Sequence, residues 1–271
     1  MVLQSREISL PTHHRIETAL PRSTGHRDAH RSVVFAPLDG TGRAELVARR
    51  LTDAIVSGLL RDGERLPSEA ELSRTMGVAL VTAREALEEL RANSLVETRR
   101  GRDGGSFVTY DREAAARHLD ERLQGHSRIA LRDLAVHLSA IAGTAAELAA
   151  QRASEDDVRS LEAIHAGADL GTQGGARRAL LRFQLEVAAI SQSPRLVREE
   201  VRLQSEAGPL VWLCLREQEY RERSAAARER TIAAIRDVAP ERARAAILGL
   251  IDDSMRWLID EKLRLETGGT A

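Results

Sequence analysis

Strand-like alternation appears at length only twice in this chain, in Leu95-Val96-Glu97-Thr98-Arg99 and in Ser106-Phe107-Val108-Thr109-Tyr110. Between them lies Gly101-Arg102-Asp103-Gly104-Gly105, and two alternating runs around a glycine-rich tip predict a β-hairpin. A lone hairpin is marginal in water, so helices must cover it. The residues before it supply three. Leu46, Val47, Leu51, Ala54 and Ile55 recur at helical spacing, with Gly58 near the end. A short extended stretch ending in Leu66-Pro67 follows. Ser68-Glu69-Ala70-Glu71 is then a capping box: Ser68 accepts a backbone N–H at the helix start and Glu71 reaches back. Leu72 and Met76 continue that helix and Gly77 ends it. A third helix sets Ala83, Ala86, Leu87 and Leu90 on one face and Thr82, Arg84, Glu85, Glu88 and Glu89 on the others, ending near Asn93-Ser94.

After Tyr110 apolar residues fall at helical spacing throughout, over 113–123, 131–152, 155–168, 177–192, 194–217, 220–238 and 241–265. Ser154 with Asp157, Gly171/Gly174/Gly175, Ser193-Pro194 and Pro240 mark the breaks, and Pro209 is placed to kink or interrupt its helix. The expected fold is mostly α. An N-terminal winged helix-turn-helix (three helices plus a β-hairpin wing) over 41–111 is followed by an all-α helical bundle over 112–266. Residues 1–40, with Pro11, Pro21, Pro37 and no sustained periodicity, are expected to be a disordered leader, and 267–271 a flexible tail. The leader's histidines, His13, His14, His26 and His30, raise a metal-binding tail as the alternative, against which their irregular spacing counts.

Composition removes several classes. Cys214 is the single cysteine, which excludes an internal disulfide scaffold or a zinc ribbon. The longest apolar run, 210–215, is far short of the roughly 20 residues that span a bilayer. Residues 1–9 lack an apolar signal core, so a cytoplasmic protein without a membrane partner is expected. Aromatic residues are 3% of the chain, too few for a base-stacking platform. No Gly-rich phosphate loop follows a strand, no HExxH occurs, and Cys214 sits in an apolar run that reads as core, so the residues do not suggest an enzyme.

Residues 47–108 resemble the DNA-binding domain of the GntR family, most closely its FadR-type branch. The resemblance is carried by Leu51-x3-Ile55-x2-Gly58, Gly63-Glu64-Arg65-Leu66-Pro67-Ser68-Glu69-x-Glu71-Leu72, Gly77-Val78, Arg84-Glu85-Ala86-Leu87-x2-Leu90, Leu95-Val96 and Arg100-Gly101. The helical remainder is similar in pattern to the FCD effector-binding domain of that branch. The resemblance implies a homodimeric transcription regulator that binds a double-stranded DNA operator, a short inverted repeat, and responds to a small-molecule effector, as a repressor.

A recognition helix must leave its N-terminal residues free to meet base edges. Leu80, Val81, Thr82 and Arg84 hold that end here, and Arg84 can bind a phosphate or fork onto a guanine edge. Arg99, Arg100, Gly101 and Arg102 form the wing tip, where glycines let the backbone approach DNA, and Ser68 heads the preceding helix. Each has a plainer alternative: Arg84 paired with Glu88 on its own helix, and the wing arginines as a solvated hairpin. Residues 41–110 hold 11 Arg and 11 Asp or Glu, so affinity must come from how charge is sorted. The family's usual Ser/Thr-Arg is Ala79-Leu80 here, and its frequent Arg is Ala70. The first change removes a helix cap, typically about 1 kcal/mol. Leu80 in place of the arginine removes a guanine contact and leaves Leu80 or Val81 to touch a thymine methyl.

Many FCD domains hold a divalent metal with one aspartate and three histidines. The corresponding positions here are Leu180, Gln184, Arg228 and Leu250, and no histidine follows His165. That metal is therefore expected to be absent, and no other cofactor is expected. His137 and His165 are read as hydrogen-bonded or exposed in preference to metal ligands. An effector carboxylate then needs another anchor; Arg228 and Gln184 are the candidates, with His137 beside them. The alternatives are that Arg228 faces solvent within the charged run 221–230, that the cavity is apolar, or that the bundle only dimerises. A protein–protein adaptor that has kept the fold and lost DNA readout, motivated by Ala70, Ala79 and Leu80, is the competing function.

Overall fold

The computed structural model describes residues 29–38, 43–101, 103–109 and 111–268. Its first six-residue helix, α1 (Ala29–Val34), lies inside the stretch expected to be a disordered leader. Val33, Val34, Phe35 and Leu38 are buried, Leu38 N–H bonds to Met76 O (3.0 Å), and Arg50 donates to Ala36 O (2.7 Å). Four apolar side chains in six residues cover a seam between domains, and that is too short a stretch to show periodicity. Of the leader's histidines, only His30 falls among the described residues.

The next three helices follow the sequence logic. α2 (Arg43–Val56) buries Val47, Leu51, Ala54 and Ile55 and gives way to Gly58, whose φ of 73° suits glycine. α3 (Glu69–Met76) begins at the capping box and ends at Gly77 in the left-handed region. α4 (Leu80–Ala92) buries Ala83, Ala86, Leu87 and Leu90. β1 (Val96–Arg99) and β2 (Gly105–Val108) then pair antiparallel, with Val96 opposite Val108 and Arg99 opposite Gly105. The extended stretch before Pro67 seals the free edge of β2: Leu66 N–H bonds to Ser106 O and Val108 N–H to Glu64 O, both 2.9 Å.

The remainder is helical: α5 (Arg112–Gly125), α6 (Arg128–Arg152), α7 (Glu155–Ala166), α8 (Gln173–Ile190), α9 (Pro194–Glu206), α10 (Gly208–Val211), a 3-10 helix (Trp212–Arg216), α11 (Gln218–Arg236) and α12 (Pro240–Gly268). Pro209 does interrupt its helix, splitting the expected 194–217 into α9, α10 and the 3-10 turn. α8 starts four residues before its expected onset, because the Thr172 hydroxyl caps it through Gly175 N–H (3.0 Å) and the glycines are taken up as helix. At the C-terminus Thr267 and Gly268 extend α12 into the expected tail. α6 alone among the described helices is long and apolar enough to cross a membrane, yet it packs along α12 and against α8, α9 and α11.

The two parts meet along α2–α5 and α1–α8. Buried Asp53 of α2 pairs with Arg122 of α5 and lies 3.5 Å from His118. Gly58 and Gly174 touch backbone to backbone: a Cβ on Gly58 would lie 2.7 Å from Gly174 Cα.

Candidate nucleic-acid interface and effector site

The head of α4 is open. Leu80 and Val81 are 48% and 57% exposed, two adjacent large apolar side chains left in solvent at a helix start. Ala79 holds the N-cap backbone geometry with no side-chain acceptor, as its sequence implies, so the first-turn N–H groups lack one cap partner. Thr82 is half-buried. The exposed Arg84 pairs neither with Glu88 nor with nothing: its Nε donates to Glu69 Oε2 at 3.0 Å, tying α4 to α3. An exposed pair of this kind contributes about 0–1 kcal/mol, so the guanidinium is cheaply released to a phosphate or base. The Ser68 hydroxyl is engaged with Glu71: it accepts from Glu71 N–H at 3.3 Å and donates to the carboxylate at 2.8 Å. The Ser68 backbone N–H, donating to the same carboxylate at 2.8 Å, and then the hydroxyl hold the Glu71 carboxyl below its usual range, and these bonds commit Ser68 first to the cap.

On the wing, Arg99 stacks 4.4 Å from the Phe107 ring centroid and donates to Glu97 at 2.7 Å. Arg100 is exposed and makes no ion pair among the described residues. Gly101 takes φ 113° at the turn. Arg65, from the edge stretch, donates to Gly104 O (2.7 Å) and holds the tip against the domain. Arg102 lies outside the described residues.

The bundle interior carries the opposite arrangement. Gln184 and Arg228 are 3% and 1% exposed, which settles against a solvent-facing Arg228. The Gln184 carboxamide and the Nε and Nη1 of Arg228 have no hydrogen-bond partner among the described residues. Arg177, not anticipated from the sequence, joins them at 1% exposure, with Nε and Nη1 also unpartnered. Its seven-residue spacing from Gln184, flanking Leu180 and Leu181, is the signal that places both on the buried face of α8. Arg177 Nη2 donates to Gln204 Oε1 (2.9 Å), which also accepts from Trp212 (3.1 Å), while Gln204 donates to Glu200 (2.8 Å). Burial raises the Glu200 carboxyl to about 7 and lowers Arg177 to about 9 and Arg228 to about 10. Two guanidiniums thus share the interior with one readily protonated carboxyl. Uncompensated buried charge costs several kcal/mol, and an entering anion would relieve it.

The third effector candidate is placed elsewhere. His137 sits on the outside of α6, its side chain 41% exposed, 3.0 Å from Glu199 Oε1 of α9. His165 lies on α7, its imidazolium disfavoured by burial and then by Arg228. Leu180 and Leu250 are buried hydrocarbon where a metal would need donors. Among the described residues no three His, Cys, Asp or Glu side chains form a group that could hold a metal ion, and with leucine at two of the four positions this interior does not fit the divalent metal that the resemblance brings into question. Cys214 is buried, its thiol pushed up to about 12, which suits core and not a nucleophile.

Residues 43–108 match the model of bacterial regulatory proteins of the gntR family, and 133–253 match that of the FCD domain. Over 237 residues, 86% of each chain, the sequence is 38% identical to RmpR of Mycobacterium gastri, an HTH-type protein assigned as a transcriptional regulator. Over 59 residues, 22% of this chain and 23% of the other, it is 39% identical to the Glc operon transcriptional activator of Escherichia coli. The solved structure of E. coli McbR/YncC aligns with 82% of this chain and 99% of its own, at 17% identity and a TM-score of 0.45.

Proposed function

Because the chain belongs to the GntR family of bacterial regulatory proteins, with an FCD domain behind its winged helix-turn-helix, we propose that it is a cytoplasmic repressor that binds a short inverted repeat as a homodimer and leaves it when a small carboxylate enters the helical bundle. The DNA half of this reading is supported by the exposed head of α4, where Leu80 and Val81 face solvent and Arg84 is held only by its exposed pair with Glu69, with Arg99 and Arg100 flanking on the wing. From the sequence alone, Arg102 is proposed to contact DNA with them. Two-fold symmetry of the protein would be mirrored in the operator. Ile129 and Val136, seven residues apart on α6 and 78% and 69% exposed, form an apolar strip suited to a subunit contact.

The effector half rests on one observation: Arg228 and Gln184 are buried with unpartnered hydrogen-bonding groups. A guanidinium fork and an amide together fit a carboxylate directly, with no metal between. In this reading His137, outside on α6 and paired with Glu199, has no part in the anchor. The test is a titration of small mono- and dicarboxylic acids against the complex of the protein with its operator. A carboxylate that releases the DNA from the native protein and not from Arg228→Met supports the reading. Release from both proteins alike would place the effector elsewhere, and indifference of DNA binding to loss of Arg84 and Arg100 would leave the adaptor.

A further inference from the structure

Between the winged domain and α8 lies a cleft of about 800 Å³, a volume within the range of small-molecule sites. Its principal cations, Arg61, Arg178 and Arg182, belong neither to the head of α4 and the wing nor to the Arg177–Arg228 interior. The two sides are held at a fixed separation by the Gly58–Gly174 backbone contact and by Arg178, which donates to Gly58 O. Charge in the cleft is unbalanced: five arginines and His30 face Asp62, Glu64 and Asp169. The acids are also engaged locally. Glu64 pairs with Arg31, and its other oxygen accepts from Arg61 N–H (3.0 Å). Asp169 accepts from Gly171 N–H (2.9 Å) and the Thr172 hydroxyl (3.1 Å) at the start of α8. Arg61 and Arg182 make no ion pair among the described residues. Burial, and then the facing Arg61, hold the Arg178 guanidinium below its ordinary value.

Arg61 lies on the loop after α2 and Arg178 and Arg182 lie on successive turns of α8, with Glu186 acting on Arg182 and Asp169 on Arg178, so the cleft presents guanidiniums from two walls and not a single flat fork. That arrangement fits a tetrahedral anion, whose oxygens point in several directions, better than a planar carboxylate. We propose that this cleft is a second ligand site, for the phosphate group of a small molecule, held by Arg61, Arg178 and Arg182. A ligand there bridges the loop after α2 to α8, and so bears on how the winged domain sits against the effector domain.

The experiment is calorimetric titration of the full chain with pyrophosphate at constant ionic strength set by sodium chloride. The native protein is expected to give one saturable site per chain. Arg61→Gln/Arg182→Gln is expected to weaken it about tenfold or more, as loss of charge-assisted hydrogen bonds implies. Arg256→Gln, exposed on α12 and outside both proposed sites, is expected to bind pyrophosphate normally. Arg61→Gln alone, at an exposed position, serves if the double variant does not fold and is expected to weaken binding severalfold. Absence of saturable binding, or equal affinity in the Arg61 variants, overturns the site. If instead Arg61→Gln leaves no pyrophosphate site to lose but flattens the salt dependence of DNA binding, the cations serve the DNA backbone and the proposal fails.

Discussion

Arg84 at the head of α4 and Arg228 in α11 are the same side chain in opposite surroundings. Arg84 is 56% exposed and shares one hydrogen bond with Glu69, a contact that water can replace at little cost. Arg228 is 1% exposed, and two of its nitrogens have no partner among the described residues. The first arrangement leaves a charge in reserve for a polyanion that arrives from solvent. The second stores a desolvation cost in the folded chain that only a ligand inside the bundle would offset. Within one protein, exposure separates the arginine proposed to meet DNA from the one proposed to meet an effector.

The comparison breaks most sharply at the DNA face. Arg84→Ala with Arg100→Ala is expected to lower operator affinity about 100-fold or more, at about 1–3 kcal/mol per contact. Arg100→Ala alone should reduce the slope of log K against log salt by about one, as loss of a phosphate contact does, and fluorescence anisotropy over a salt series checks both. Neither change should move thermal stability appreciably.

Inside the bundle the signs reverse. Glu200 has a folded pKa of about 7 against an ordinary 4.5, so between these values the native state holds a proton that the unfolded chain has lost. Its contribution, on the order of 3 kcal/mol, is full below about pH 4.5 and drains as pH rises through 7. Urea denaturation across that window should show native stability falling with pH, and Glu200→Gln should flatten the fall. Arg228→Met, which replaces a buried charge by hydrocarbon of similar length, is expected to raise the stability of the ligand-free protein by about 1–4 kcal/mol while abolishing effector release. A drop in melting temperature would mean that Arg228 is already satisfied. The smallest expected effect is at the recognition-helix cap. Ala79 has extended N-cap geometry and no acceptor, so Ala79→Ser should add about 1 kcal/mol, measurable as a rise in the denaturation midpoint.

Local rules were enough for most of the architecture. The alternating runs, the Ser68–Glu71 box, the Ser154–Asp157 box and Pro209 each act within a few residues, and the hairpin, helix starts and helix break lie where they predict. What escaped depends on contacts distant in sequence. Helix α1 is held by α2, α8 and α9, which no periodicity within six residues could reveal. Arg84 found Glu69 on the preceding helix, not the neighbour one turn away. Arg177 was masked by its own type, since 39 arginines and one lysine make any single arginine look ordinary until burial is known. His137, expected to be hydrogen-bonded or exposed, is 41% exposed and pairs with Glu199 of α9, a partner that spacing along α6 could not name.

The account stands most directly on the exposed head of α4 reading sequence. Selection of bound duplexes from random DNA by the purified full-length protein, at two salt concentrations, tests this. An enriched inverted repeat that persists at the higher salt, and is lost on Arg84→Ala, is the predicted result. Recovery of unenriched DNA at both salts would contradict it and leave the winged domain without specific readout.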